Sequence, residues 1–316
     1  MVVSVSIATA ILSNSQGLER FRVFVMSPAP TARASLDESG TYPVLRDAEF
    51  DFIRHVVGEN AGIMLGPNKR QLVQGRIARR MRELGLRSYE AYCEHVRNSG
   101  PEELVGLINA LTTNVTSFFR ENHHFEALAS YMLPEAMKRN NVSRRIRIWS
   151  AGCSTGEEPY CLAMVASECL PPSQRWDLKI LATDIDSDVV AQAQRGVYDL
   201  DRMASVPEAR LRRFFRRGAG DQIGNVRVRE EIAQRVTFRT LNLMHEWLMR
   251  GPFDIIFCRN VMIYFDQPTR ERLVSRFAQL LAPGGYLCIG HSESIHGAVP
   301  FKLVGKTIYR RTGESA

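Results

Sequence analysis

The amino-acid sequence predicts an α/β protein built on a doubly wound sheet, with an all-helical domain before it and a small antiparallel β insertion within it. Three observations support this fold class. From residue 145 onwards, short apolar strand-like segments alternate with segments of helical periodicity, which is typical of a parallel sheet. Residues 44–111 show helical periodicity, with a break from Gly62 to Pro67. Residues 199–235 interrupt the alternation with glycines, arginines and a short polar strand.

These patterns predict the organisation of the chain. We expect a flexible leader over residues 1–43, because this stretch is low in pattern and contains Ser27-Pro-Ala-Pro-Thr31. The parts predicted to follow are a helical domain over 44–111, a linker over 112–121, and an α/β domain over 122–316 whose insertion lies at about 210–235.

Composition excludes several classes of protein. The chain has 316 residues, 45% of them hydrophobic, which suits one large or two modest domains. No apolar run reaches the roughly 18–20 residues of a membrane span. The six cysteines form no Cys-x-x-Cys pair and no Cys/His metal spacing, so we expect reduced thiols, a cytoplasmic protein and no bound metal. The net charge of +7 favours an acidic partner but does not identify one.

The second predicted helix of the helical domain has a strongly basic surface. Val73, Ile77, Met81 and Leu84 form its apolar stripe. Its other faces hold Lys69, Arg70, Arg76, Arg79, Arg80 and Arg82, with Glu83 as the acid among them. One interpretation is a solvated helix face, and another is a docking face for an acidic protein helix or for nucleic acid. The lack of interleaved aromatic residues argues against stacking on single-stranded nucleic acid.

The linker Leu111-Thr-Thr-Asn-Val-Thr-Ser-Phe-Phe-Arg-Glu121 combines dense polar groups with two aromatic residues. The polar groups are too many for a core segment, and Phe118 with Phe119 is too apolar for a solvated connection. We therefore expect the linker to fold over a ligand and to present hydrogen-bonding groups to it. A capped connection between domains is the alternative.

The segment Arg145–Pro159 predicts a strand, a tight loop and the start of a helix. Gly152 and Gly156 allow the loop to turn sharply, and Glu157 and Glu158 suit the positive end of a helix dipole. Nucleotide-like cofactors bind at such turns, although an ordinary βα turn is an alternative. The two acids would repel a pyrophosphate, so S-adenosylmethionine, which carries a sulfonium and an ammonium, fits better than a dinucleotide.

Two further features belong to this cofactor hypothesis. Asp184 ends a second buried strand, where an acid can hold both hydroxyls of a ribose. Asp186 and Asp188 are expected to cap the next helix.

In the insertion, five arginines between Arg210 and Arg217 and a short polar strand at 225–229 predict an exposed sheet edge, which can accept an added peptide strand.

Four motifs together resemble the CheR family of chemotaxis receptor methyltransferases. They are Thr-Thr-Asn-x-Thr-x-Phe-Phe-Arg at 112–120, Ser-Thr-Gly-Glu-Glu-Pro at 154–159, Ala-Thr-Asp-Ile-Asp at 182–186 and Cys-Arg-Asn-Val-Met-Ile-Tyr-Phe at 258–265. The resemblance runs from about Val44 to Arg310. It implies a Rossmann-like methyltransferase sheet, S-adenosylmethionine as cofactor, and methylation of glutamate side chains on the cytoplasmic helices of chemoreceptors.

The resemblance also implies the site residues. Asn114, Thr116 and Arg120 resemble the linker groups that reach the cofactor, and Glu157 and Asp184 the acids near its amino-acid and ribose parts. The strand-end contacts around its adenine and methionine portions correspond to Asn242, Leu243, Arg259 and Asn260. Tyr264 resembles the tyrosine beside the sulfonium. In some members the β insertion docks a peptide from the receptor's carboxyl terminus.

The chemistry requires no general base, because a glutamate carboxylate with a pKa of about 4.3 is already ionised at pH 7. We expect Arg120 to help strip water from the carboxylate and Tyr264 to orient the reacting groups. The alternatives are a nucleic-acid methyltransferase and a non-enzymatic S-adenosylmethionine-binding regulator. We expect neither nucleic-acid binding nor membrane insertion, and we expect a monomer.

Overall fold

The structure, a computed structural model, describes residues 44–297 and 300–313. The predicted flexible leader lies outside the described residues. The chain divides into two compact units. Of the described residues, 44–58 and Leu65–Leu111 form one unit, and Glu59–Met64 and those from Thr112 onwards form the other.

The first unit is built from helices, as the periodicity predicts. The helices are α1 (Asp47–Ala61, whose last three residues belong to the second unit), α2 (Arg70–Leu84), α3 (Tyr89–Asn98) and α4 (Pro101–Leu111). Ile53, Ile77 and Tyr92 are among its fully buried side chains. Gly85 ends α2 in the left-handed region at φ +69°, and the following Leu86 N–H donates to Met81 O at 2.9 Å.

Most of the basic residues on α2 and just before it fall into two groups. Arg76 donates to the carbonyl oxygen of Leu111 at 2.8 Å, and Arg80 forms a 2.7 Å ion pair with the buried Glu103. These two arginines therefore stabilise the helical unit itself. Lys69, Arg79 and Arg82 are exposed.

The second unit contains a seven-stranded sheet of order β6-β2-β1-β7-β8-β10-β9. Strands β1, β2, β6, β7 and β8 are parallel neighbours, and β10 runs antiparallel between β8 and β9. The strands of this sheet are β1 (Arg145–Ala151), β2 (Asp177–Asp184), β6 (Val236–Thr240), β7 (Phe253–Cys258), β8 (Leu281–Ile289), β9 (Phe301–Gly305) and β10 (Ile308–Arg311).

Apolar side chains on the two faces of the sheet enter two separate clusters. Ile148 and Phe257 belong to one cluster, and Trp149 and Ile256, their chain neighbours, belong to the other. This alternation is what a sheet covered on both faces requires.

The helices of the unit are α5 (His123–Ala127), α6 (Leu133–Arg139), α7 (Glu157–Cys169), α8 (Ser187–Arg195), α9 (Glu208–Phe214), α10 (Glu230–Ala233) and α11 (Gln267–Leu280).

A separate three-stranded antiparallel sheet of order β3-β5-β4 forms the insertion. Its strands are β3 (Val197–Asp199), β4 (Phe215–Arg217) and β5 (Asn225–Val228). The predicted α/β fold class, with an N-terminal helical part and a small β insertion, is confirmed. The insertion begins earlier than predicted, with β3. The sequence did not indicate this strand because three residues are too few to show an alternating pattern.

The helical segment between the linker and β1 contains a π-helical turn at Leu128–Met132, where Leu133 N–H donates to Leu128 O, five residues back. Pro134 follows at once, and a residue without an N–H disturbs the ordinary ladder. The segment at Arg210–Arg217 is a helix followed by a strand. No helix within the described ranges is long and apolar enough to cross a membrane.

Candidate cofactor and catalytic site

The loop between β1 and α7 turns on residues in the left-handed region. Gly152, Ser154 and Gly156 have φ values of +90°, +48° and +95°. A Cβ on Gly152 would lie 2.2 Å from Val261 Cγ2, so a side chain here would collide with the loop after β7. Gly152 N–H donates to Thr183 O at 2.7 Å, which ties the loop to the end of β2.

Asp184 is buried at the carboxyl end of β2. Its carboxylate accepts Ser154 N–H at 2.8 Å and Asp186 N–H at 3.1 Å. Burial raises the pKa of Asp184 to about 6, against the lowering effect of these backbone donors. An acid held in this way keeps lone pairs for hydroxyl donors from a ligand.

The first half of the linker lies against the same edge of the sheet. Thr112 Oγ1 and Asn114 Nδ2 donate to Asp186 Oδ2 at 2.7 and 2.6 Å. Asp186 also caps α8, as predicted, because its Oδ1 accepts Asp188 N–H at 2.9 Å. The sequence indicated the capping role but not the contact with the linker, which joins residues more than 70 positions apart.

The second half of the linker is anchored by Phe118 and Phe119, which are both buried. Arg120 follows them and is half-buried, and its guanidinium donates to Val115 O at 2.9 Å. Thr116, which lies between Val115 and Arg120 in the sequence, is also half-buried. Positive φ values at Phe119 (+55°) and Glu121 (+56°) mark a strained backbone around Arg120.

Glu157 and Glu158 at the start of α7 are both buried, and both have partners within the unit. Glu157 accepts the Thr155 hydroxyl at 2.6 Å and pairs with Arg202 at 2.5 Å. Glu158 accepts the Ser150 hydroxyl at 2.7 Å and Arg259 Nε at 2.6 Å. The two acids are therefore balanced by hydroxyls and arginines.

Arg259, at the end of β7, connects α7 to the linker. Besides Glu158, it donates to the carbonyl oxygen of Arg120 at 2.6 Å. Burial lowers the pKa of Arg259, but Glu158 and Glu121 outweigh it and the net shift is upward. The neighbouring His124 is fully buried, and burial lowers its pKa to about 3, so it is neutral at pH 7.

Asn260 lies in the left-handed region, with φ +59°. The sequence did not indicate the acid that accepts its main-chain N–H. This acid is Glu293, which is buried and accepts the N–H groups of Asn260 (3.0 Å), Ile263 (3.1 Å) and Gly290 (2.6 Å). A Cβ on Gly290 would lie 2.5 Å from Asn260 Nδ2, so this close approach requires glycine. Glu293 thus joins the ends of β7 and β8.

Asn242 and Leu243 follow β6. Asn242 Nδ2 donates to Asn60 O at 2.6 Å, and its Oδ1 accepts Met244 N–H at 2.9 Å. Leu243 is buried, and its carbonyl oxygen accepts Arg276 Nη1 at 2.6 Å. Tyr264 is half-buried, and its carbonyl oxygen accepts Met64 N–H at 2.8 Å.

The structure thus brings polar groups together at one edge of the sheet, where β1, β2, β6 and β7 end. Glu121 adds a buried oxygen, Oε2, that accepts no hydrogen bond from the described residues and lies 3.6 Å from Arg259. An acidic edge with amides and an incompletely satisfied carboxylate fits a cofactor that carries ribose hydroxyls, an ammonium and a sulfonium. No cluster of possible metal ligands occurs in the described part of the chain.

This sheet order, with a tight glycine loop after β1 and an acid at the end of β2, is that of a doubly wound fold with a nucleotide-type site at the carboxyl ends of its strands, and it fits an S-adenosylmethionine-dependent methyltransferase. Residues 114–309 match the family model "CheR methyltransferase, SAM binding domain", and residues 48–112 match "CheR methyltransferase, all-alpha domain". The chain belongs to the CheR methyltransferase family. The predicted family, cofactor and methyltransferase activity are confirmed.

Curated relatives agree over most of the chain. The chemotaxis protein methyltransferase of Escherichia coli is 44% identical over 269 residues, 84% of this chain and 91% of its own. That of Salmonella typhimurium is 43% identical over 276 residues, 86% of this chain and 93% of its own. Chemotaxis protein methyltransferase 2 of Pseudomonas aeruginosa is 44% identical over 268 residues, 83% of this chain and 92% of its own.

Proposed function

We propose that this protein is a protein-glutamate O-methyltransferase that modifies glutamate side chains on the cytoplasmic helices of methyl-accepting chemoreceptors. The observation that carries the proposal is the similarity to chemotaxis protein methyltransferases over more than four fifths of the chain. The proposal places the enzyme in the cytoplasm and takes it to act as a monomer.

S-adenosylmethionine supplies an electrophilic methyl group on its sulfonium. The chain's task is to place an ionised carboxylate in line with that group, because positioning replaces a bimolecular encounter. Arg120 attracts and desolvates the carboxylate, and Tyr264 orients the reacting groups. The half-buried position of both residues supports these roles, since each is partly accessible from solvent, and the Arg120 guanidinium is held by the carbonyl oxygen of Val115.

The remaining residues of the proposed site hold the cofactor. Asp184 accepts the ribose hydroxyls, and the groups that contact the rest of the cofactor are Asn114, Thr116, Arg120, Glu157, Asn242, Leu243, Arg259 and Asn260. Glu157 and Arg259 already have ionic partners in the protein. We therefore propose that Glu157 and Arg259 contact the cofactor while they keep these ion pairs.

The helical domain, residues 44–111, contacts the receptor in this proposal, and residues 112–121 form the cofactor linker of the methyltransferase domain at 122–316. Among the basic residues on α2 and just before it, Lys69, Arg79 and Arg82 are exposed and suit an acidic helix. Arg76 and Arg80 are less suited, because they are engaged by Leu111 and Glu103.

The insertion docks a carboxyl-terminal receptor peptide in this proposal. β4 is an edge strand of the small sheet. Gly218 N–H bonds to Asn225 O across the β4–β5 pair, so the alternation of the ladder directs the Arg217 backbone groups to the free edge. A cavity of about 400 Å³ beside it is lined by Leu211, Arg212, Phe215, Arg216, Arg217 and Arg229.

Incubation with methyl-labelled S-adenosylmethionine tests the proposal. Label on a receptor fragment that is released as methanol in mild alkali is the expected result, because carboxyl methyl esters hydrolyse under these conditions. Label in RNA would favour the nucleic-acid alternative. Cofactor binding without transfer to receptor fragments or RNA would favour a regulator.

A further inference from the structure

The segment Glu59–Met64, called the strap below, lies between two parts of the helical unit in sequence but belongs to the unit of the large sheet. It comprises the end of α1 and the three residues that follow. Ala61 and Ile63 are buried. The sequence indicated here only a break in helical periodicity.

One end of the strap holds Asn242. The carbonyl oxygen of Asn60 accepts Asn242 Nδ2 at 2.6 Å. The other end of the amide, Oδ1, accepts Met244 N–H at 2.9 Å. With a donor satisfied on one side and an acceptor on the other, the amide plane of Asn242 is fixed in one orientation.

The other end of the strap holds Tyr264. Met64 N–H donates to the carbonyl oxygen of Tyr264 at 2.8 Å. Tyr264 closes the short 3₁₀ turn Met262–Tyr264 after β7. The strap therefore joins the loop that follows β6 to the loop that follows β7, two neighbours of β1 and β2 at the cofactor edge.

Gly62 makes this arrangement possible. Its φ is +70°, and a Cβ there would lie 2.7 Å from Met244 Sδ and 3.3 Å from Phe265 Cδ1. Met244 and Phe265 belong to the same two loops. A side chain at position 62 would strain the backbone and would force either the Met244 side chain or the strap to shift.

We propose that the strap positions Asn242 and Tyr264 for cofactor binding and methyl transfer, with Gly62 as the residue that sets its close approach. The inference rests on the roles proposed above for Asn242 and Tyr264. Asn60, Gly62 and Met64 act through these two residues, so they are positioning residues. The competing explanation is that the strap contributes only to the stability of the fold.

The variant Gly62→Ala, with Gly85→Ala as a matched control, separates these explanations. Gly85 has nearly the same φ, +69°, but nothing lies within 4 Å of a Cβ there. Both variants carry the same backbone strain. If the strap positions Asn242, only Gly62→Ala should weaken S-adenosylmethionine binding in calorimetry, by roughly tenfold, which corresponds to about one lost hydrogen bond.

A second substitution tests the contact itself. Met244→Ala in the Gly62→Ala background removes the nearest overlapping atom and keeps the Met244 backbone N–H, so affinity should return most of the way to the wild-type value. The strap hypothesis is wrong if Gly62→Ala and Gly85→Ala lower the melting temperature alike and leave cofactor affinity per folded molecule unchanged.

Hydrogen exchange on the wild-type protein gives an answer even if Gly62→Ala does not fold. Cofactor should slow exchange of the Met64 amide, which bonds to Tyr264, and leave the Leu86 amide at the end of α2 unchanged. Unchanged exchange at Met64 contradicts the strap. Both readouts use the cofactor alone, so a failure to methylate receptors would overturn the proposed acceptor and leave this inference standing.

Discussion

We propose Asp184 as the residue on which cofactor binding most depends. It is buried at the end of β2, and its two oxygens accept backbone N–H groups from the glycine loop and from the start of the next segment. Its carboxylate is therefore fixed in place before a ligand arrives. Its position couples the loop after β1 to any hydroxyl donors that bind there.

Asp184→Ala should weaken cofactor binding, because charge-assisted hydrogen bonds to ligand hydroxyls are lost. Such bonds contribute roughly 1.5–3 kcal/mol, which corresponds to a loss of about 10- to 100-fold in affinity. Calorimetric titration with S-adenosylmethionine measures the change. Wild-type affinity in the variant would remove Asp184 from the site.

The pKa of Asp184 also predicts a pH dependence of stability. Burial raises it from 3.8 to about 6, so the folded state binds more protons than the unfolded state between these values. The free energy of unfolding therefore falls as pH rises from about 4 through 6, by about 3 kcal/mol in total from this group.

Asp184→Asn cannot titrate and should lose this contribution. The difference in unfolding free energy between wild type and variant, measured by urea denaturation of the cofactor-free protein, should change across this pH range and be flat above it. A difference that is constant from pH 4 to 7 would show that the carboxyl group is not buried as described.

At the scale of elements, α2 carries two kinds of arginine, and they predict different consequences. Charge reversal at the exposed pair, Arg79→Glu with Arg82→Glu, should slow receptor methylation several-fold and leave cofactor affinity intact, because it weakens attraction to an acidic helix. Added salt should slow the wild type in the same assay, since exposed charges are screened over about 8–10 Å.

Arg80→Glu is the contrasting variant. It leaves Glu103 buried beside another acid, and breaking a buried pair typically costs about 3–5 kcal/mol, so a lower unfolding midpoint is expected first. A methylation rate that responds neither to salt nor to reversal at Arg79 and Arg82 would restore the interpretation of a solvated helix face.

The edge strand β4 predicts how a receptor peptide is bound. Arg217→Pro removes a main-chain donor at the free edge, whereas Arg217→Ala removes only the side-chain charge. If the peptide adds a strand, the proline variant should lose most of the peptide affinity in a titration and the alanine variant a smaller part. Equal losses would indicate charge attraction without strand addition.

At the scale of the whole molecule, the sequence predicted the α/β fold class because strand-like segments bounded by turn residues alternate with segments of helical periodicity. The motif acids and amides were also visible, since they follow buried strands. The contacts that organise the site were not. Glu293 and the strap hold Asn260, Asn242 and Tyr264 through hydrogen bonds that each use a main-chain group on at least one side, and such bonds leave no periodic pattern in the sequence.

Contacts between residues far apart in sequence explain most of the other differences between the sequence-based expectations and the structure. The sequence predicted that Glu157 and Glu158 lie in the first turn of a helix. It could not indicate that Arg202 and Arg259 form ion pairs with them. β3 and the π-helical turn depend on pairing with distant strands and on one proline, and both are shorter than the window over which periodicity is detectable.

Mass spectrometry of a receptor fragment after reaction with S-adenosylmethionine tests the central claim most directly. The account predicts a methyl group on a glutamate side chain of a receptor helix, and no methylation at that position when the glutamate is replaced by glutamine. Modification that persists after the Glu→Gln replacement, or that maps to a lysine, a cysteine or a nucleic acid, would contradict it.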